Sequence, residues 1–206
     1  MNKKVTQLDV DKALAKKTLV VNLLGGPGTG KSSLRAGVFY DLKFRGIDCE
    51  EAPEYAKDLV WSKSQFTLGN QIKVFGEQHD RIFRLLGQVE VVITDSPLLL
   101  TPIYDTRESD TLRTLAMEEF NSMWNYTVFL KRCKPYNPNG RNQDEDGAVE
   151  IDRRIADFLL DNQIPFETTK GLAEGKDYIV KKVLMLLGKW TPPPTKKQIA
   201  EAVESA

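Results

Sequence analysis

One histidine and two cysteines in 206 residues exclude most of the chemistry that soft metals would bring. His79 has no second imidazole to share a zinc ion with. Cys49 and Cys133 lie far apart, without further ligands at metal spacing. Two such thiols make no disulfide framework, and reduced cysteines in a cytoplasmic protein are the expected state. Charge of one sign is also missing: Lys+Arg and Asp+Glu both number 29, so no global field steers the chain to nucleic acid or to a membrane. No apolar run is long enough to span a bilayer, and Met1-Asn-Lys-Lys-Val5 lacks the apolar stretch of a signal peptide. A G-x-G-x-x-G dinucleotide fingerprint cannot be placed on residues 25–31, because its required positions fall on Pro27 or Lys31. A nicotinamide- or flavin-dependent oxidoreductase is disfavoured on that ground.

Gly25-Gly26-Pro27-Gly28-Thr29-Gly30-Lys31-Ser32 does match G-x-x-x-x-G-K-[ST], the phosphate-binding P-loop. The apolar run Leu19–Leu24 enters it, and Ser32, Ser33 and the residues beyond leave it with helical spacing. Glycines let backbone N–H groups approach phosphate oxygens, and the helix N-terminus adds unpaired donors and partial positive charge. Gly26 through Ser33 are therefore the expected triphosphate cradle. Lys31 is expected to reach the β- and γ-phosphates, and the Ser32 hydroxyl to bind Mg²⁺.

Apolar strand patterns at 19–24, 89–94 and 126–130 alternate with helical patterns, notably 31–45, 71–86, 108–124, 151–160 and 177–187. Shorter extended segments are expected at 47–52 and 164–168, and a helical lead-in at 6–16. Such alternation predicts a parallel α/β sheet covered on both faces, with the site beyond the carboxyl ends of its strands. The fold class is thus a P-loop NTPase three-layer α/β/α sandwich with a lid loop. Residues 1–188 form the expected domain, with the lid over about 134–148. Residues 189–206, broken by Pro192-Pro193-Pro194, form a linker and tail.

Three further positions carry chemistry. Asp95 ends the strand 91–94 and is placed to hold Mg²⁺ beside the P-loop, although Asp95-Ser96-Pro97 also suits a turn or cap. Glu54, just after the second strand, is placed to align and deprotonate an acceptor hydroxyl. Glu50 and Glu51 are rivals, and a helix N-terminal acid is the plainer account. Arg141, in a loop shaped by Pro135, Pro138 and Gly140, is expected to close over the transferring phosphoryl group. Arg153 and Arg154 offer a second cation. Trp61, Tyr55, Phe66 and Phe75 are candidates to line an acceptor pocket, or plain core. His79 reads as a packing or surface residue.

The P-loop, Glu54-Tyr55, the Asp95 strand and the Pro/Asn/Gly/Arg lid resemble the phage and bacterial P-loop kinases related to the nicotinamide riboside kinase domain. The likeness covers about residues 18–188. It implies an ATP- and Mg²⁺-dependent phosphotransferase acting on a nucleoside-like or nucleotide acceptor in the cytoplasm of a phage's host or of a bacterium. It implies roles for Lys31 and Ser32 on phosphate and metal, Glu54 on the acceptor hydroxyl and Arg141 on the transferring group. Asp95-Ser96-Pro97 lacks the arginine that follows the acid in many deoxynucleoside kinases. The adenylyltransferase domain of some nicotinamide riboside kinases is also missing, so a stand-alone kinase is expected. Phage relatives that phosphorylate hydroxymethylpyrimidine bases in DNA make DNA the alternative acceptor, with Lys131, Arg132, Lys134 and Arg141 as its basic candidates. A regulatory P-loop ATPase is the rival from another class. The oligomeric state is left open, a homodimer among the options.

Overall fold

The structure is a computed structural model that describes residues 17–133 and 144–192. The expected helix at 6–16, Lys134, Arg141 and the tail beyond residue 192 lie outside the described residues. In chain order the elements are β1 (Leu19–Leu24), α1 (Lys31–Phe44), β2 (Cys49–Ala52), α2 (Tyr55–Trp61), α3 (Gln65–Gly69), α4 (Gln71–Phe83), β3 (Val91–Thr94), α5 (Leu100–Tyr104), α6 (Asp110–Ser122), β4 (Trp124–Lys131), α7 (Glu145–Asp161), β5 (Glu167–Lys170) and α8 (Ala173–Leu186).

All strand pairs are parallel, in the order β2-β3-β1-β4-β5. Every residue of β1 is buried, as a central strand covered on both faces requires. Its alternation sorts the core into layers. Leu19, Val21 and Leu23 pack with Leu34, Val38 and Leu42 of α1 and Ile179, Val180 and Val183 of α8. Val20 faces Phe75, Ile82, Leu112 and Ala116 of α4 and α6. Leu24 packs with Leu100, Ile151 and Ile155 of α5 and α7. Asn22, on the Val20 side, is buried, and its amide donates to Asn125 Oδ1 at 2.9 Å and Val20 O at 3.1 Å. The buried polar group is thereby satisfied inside the sheet.

Several boundaries differ from the sequence expectation. The segment 145–148 belongs to the first turn of α7 rather than to a lid loop. Asp144 caps that helix by accepting from Gly147 N at 2.8 Å, and Glu145 and Asp146 complement its dipole. The last strand is 167–170 rather than 164–168: Ile164 N donates to Leu159 O, so Ile164 closes the preceding helix, and its side chain is core. α8 starts at Ala173 rather than 177, and α3 and α5 carry no long apolar stripe to announce them.

Gly30 precedes α1 with φ +99, in the left-handed region. Against it sits Gly171, in the two-residue connection between β5 and α8. A Cβ on Gly171 would lie 2.1 Å from Thr29 O. The P-loop and this connection touch backbone to backbone.

Candidate active site

Strand register sets the site. Thr94 of β3 pairs with Asn22 of β1 and with Ala52 of β2, so Asp95, the P-loop and Pro53-Glu54 leave three adjacent strands at one edge of the sheet. A cleft of about 470 Å³ opens there. Pro27, Gly28, Lys31, Ser32 and Glu54 meet in it the apolar wall of Val60, Trp61, Leu68, Leu100 and Tyr104. A second cleft of about 520 Å³, beside Arg45, Ile47, Lys181 and Trp190, contains none of the predicted residues.

Within the P-loop, Lys31 Nζ donates to Gly25 O at 2.6 Å and Gly26 O at 3.0 Å. The Thr29 side chain is buried and donates to Gly26 O at 3.0 Å, so it braces the loop. Ser33 is exposed on α1, whereas Ser32 lines the cleft.

Glu54 is the N-cap residue of α2, yet its side chain makes no capping hydrogen bond. Glu54 lines the cleft. Burial raises its pKa above the usual glutamate range, and Asp95 adds to the rise, while Lys31, Lys57 and Arg35 oppose it. The rivals are used elsewhere. Glu50 accepts from Lys43 Nζ at 3.0 Å on the exposed face, and Glu51 lies 3.4 Å from Arg35 Nε.

Asp95 is 1% exposed. Its Oδ1 stands 3.4 Å from Arg35 Nε and has no hydrogen-bond partner among the described residues. The buried carboxylate at the P-loop end of β3 is a hard oxygen donor of the kind a hydrated Mg²⁺ takes, with the Arg35 guanidinium facing its Oδ1. Ser32, which lines the cleft, would offer a hydroxyl oxygen to the same ion. Among the described residues no three His, Cys, Asp or Glu side chains gather as a metal cage.

The cation that meets the P-loop among the described residues is Arg132, just past β4. Its Nη1 donates to Pro27 O at 2.8 Å, its Nη2 to Ala148 O at 3.2 Å and its Nε to Asp152 Oδ2 at 2.9 Å. Asp152 Oδ1 accepts from Gly26 N at 2.5 Å. Arg153 faces outward, paired with Glu150 and Asp157, and Arg154 donates to Ile103 O. Neither Arg153 nor Arg154 thus meets the P-loop; the arginine placed against it is Arg132. Asp152 carried no signal in the sequence, because one acid among many on an amphipathic helix looks like a solvated face.

Of the aromatic candidates, Trp61 lines the cleft and Phe75 is core. Tyr55 lies under the Arg81 guanidinium at 5.2 Å, and Phe66 is 95% exposed. His79 stacks between Phe75 and Phe83 and pairs with Glu119 at 3.0 Å.

No family model and no curated protein matches the chain. Among solved structures it is similar to one described as the NadR protein in complex with NR, with a TM-score of 0.66 and 15% identity over 91% of this chain and 55% of that one. The fold is an α/β arrangement of the P-loop NTPase-like kind. This chain spans about half the length of that protein, and at such identity the likeness concerns the fold. No helix among the described residues is long and apolar enough to cross a membrane.

Proposed function

We propose that the chain is a Mg²⁺-dependent kinase that transfers the γ-phosphoryl group of ATP to a hydroxyl of a nucleoside-like acceptor. The observation that carries this reading is one cleft lined both by Lys31 and Ser32 of the P-loop and by a carboxylate of raised pKa, Glu54. In the reaction the acceptor oxygen bonds to the γ-phosphorus as the bond to the β,γ-bridging oxygen breaks, and ADP leaves with that oxygen. The hydroxyl proton passes to Glu54. A carboxylate of raised proton affinity suits that role better than an ordinary surface glutamate. Lys31 offsets negative charge on the phosphates. Asp95 and Ser32 would hold Mg²⁺, which neutralises phosphate charge when bound. The apolar wall of Trp61, Leu68, Leu100 and Tyr104 gives a flat ring its surface. Among the described lining residues Lys31 and Lys57 are the cations, and Glu54 sits with them. An acceptor without its own phosphate suits this lining better than a nucleotide, whose dianion needs several cations. The neighbour crystallised with NR supports a small nucleoside-like occupant.

A second reading, a base within DNA as acceptor, is favoured by the exposure of Trp61 and Phe66, 66% and 95%. Trp61 lines the cleft, and Phe66 sits on α3 between the lining residues Gln65 and Leu68. Exposed aromatics at that edge offer bases a stacking surface.

The test is ATP consumption with Mg²⁺ against free nucleosides, nucleoside monophosphates, nicotinamide riboside, and plain or hydroxymethyluracil-containing DNA. Phosphate recovered on an unphosphorylated nucleoside is the expected result. Phosphate on DNA, with binding that weakens steeply with salt, transfers the assignment to the second reading. Hydrolysis indifferent to every acceptor overturns both in favour of a regulatory ATPase.

A further inference from the structure

The backbone that carries Glu54 is gripped from both sides by one helix. On α4, Gln78 Oε1 accepts from Tyr55 N at 3.0 Å, and Arg81 Nη1 donates to Pro53 O at 3.0 Å. Three residues apart, the two side chains project from one helix face and bracket Glu54 in sequence. Arg81 is itself held, by Asp58 Oδ2 at 2.6 Å and by the Tyr55 ring.

Gln78 is an unexpected residue for its place. The inward stripe of α4 includes Val74, Phe75 and Ile82, and Gln78 is 2% exposed among them. Its Nε2 has no hydrogen-bond partner among the described residues. Burying half an amide unsatisfied costs stability that Leu or Met at this position would not. The other half grips the residue next to Glu54. The Glu54 side chain makes no cap bond of its own, so the α4 clamp orders the segment without occupying the carboxylate.

We infer that Gln78 and Arg81 are positioning residues that hold the Glu54 carboxylate in the cleft for its encounter with the acceptor hydroxyl. This rests on the kinase reading above and assigns α4 a part in it. Positioning of this kind acts on turnover: a displacement of about 1 Å can cost on the order of 100-fold in rate, while the ATP cradle, built on β1 and α1, is untouched.

The experiment is a double-mutant cycle on the full chain, using the acceptor found productive in the panel. Gln78→Met is expected to lower kcat by about 10- to 100-fold with KM for ATP unchanged, and Gln78→Glu, which keeps an acceptor oxygen for Tyr55 N, to restore much of it. In a Glu54→Gln background, Gln78→Met is expected to cost nothing further, because residues acting as one unit are not additive. Amide exchange at Tyr55 is expected to quicken in Gln78→Met and to stay slow in Gln78→Glu. A full Gln78→Met penalty in the Glu54→Gln background overturns the inference, as does unchanged exchange at Tyr55. Should Gln78→Met not fold, Arg81→Met carries the same cycle. Unimpaired transfer by Glu54→Gln alone sinks the kinase role of Glu54 itself, a failure distinct from that of the clamp.

Discussion

Arg132 and Asp152 form an ion pair, 2.8 Å at its shortest, whose two ends both grasp the P-loop: the guanidinium at Pro27 O and the carboxylate at Gly26 N. The pair fastens α7 to the nucleotide cradle. Each side chain is 17% exposed, so solvent screens it little. Arg132→Met should leave Asp152 poorly paired and cost about 3 kcal/mol, read by urea unfolding. Nucleotide affinity should fall with it. If affinity stays constant while stability drops, the pair is only structural.

Gly171→Ala tests the backbone contact on the far side of the loop. Its Cβ would meet Thr29 O at 2.1 Å, so one of two main-chain segments has to retreat. A loss of about 1–3 kcal/mol is expected, together with weaker ATP binding by calorimetry. A neutral outcome would mean that the β5–α8 connection yields easily.

Lys31→Ala should lower transfer by about 10²–10³-fold, the range for deleting a donor that meets developing charge. Its Nζ donates to the loop carbonyls of Gly25 and Gly26, and losing such bonds costs stability on the order of 1 kcal/mol each, small beside the effect on transfer. Parallel turnover and thermal-melt measurements separate the two effects.

Glu54 ties activity to pH and stability with opposite signs. Its folded pKa is raised, so the acid limb of kcat/KM should lie above the usual glutamate range. A raised carboxyl pKa means that the folded state binds the proton more tightly than the unfolded chain. The associated stability is present below the unfolded pKa and lost as pH rises through the folded one. Glu54→Gln should therefore drop transfer by about 10²-fold or more while being at least as stable as the parent at neutral pH. Melting curves across pH check the second half, and lower stability at pH 7 would contradict it.

Asp95→Asn should raise the Mg²⁺ concentration needed for half-maximal transfer by about tenfold or more, and chelation should stop transfer by the parent protein. The substitution also leaves Arg35 facing Glu51 as its remaining carboxylate partner in this cluster. An unchanged Mg²⁺ titration would return Asp95 to a purely structural ion pair.

The sequence made the donor half of the site legible because phosphate binding needs a contiguous motif. Glycines, Lys31 and Ser32 sit side by side, and the flanking strand and helix appear where the periodicity places them. Asp95 was a candidate from its place just past an apolar run, and Glu54 from its place after a short extended segment, with Glu50 and Glu51 as rivals. Arg132, Asp152, Gln78 and Gly171 act through contacts distant in sequence, 126 residues for Gly26 with Asp152 and 105 for Pro27 with Arg132, and single-chain periodicity carries no record of such pairings. Arg132 showed only as one basic residue in a cluster at a strand end, and Gln78 as a polar residue within the apolar stripe of α4. Boundaries at 145–148 and 164–168 were misplaced because the Asp144 cap and the closure of α7 by Ile164 are decided by local hydrogen bonds rather than by hydropathy.

With β1 at the middle of the order β2-β3-β1-β4-β5, the P-loop lies on a dividing line. Glu54, Asp95 and the apolar wall of the cleft belong to the β2–β3 side; Arg132, Asp152 and Gly171 belong to the β4–β5 side. On the proposed reading, the acceptor and metal contacts and the clamp on the P-loop would thus lie on separate flanks of one sheet. A lineage, or an engineer, could redraw the first flank and retain the second intact.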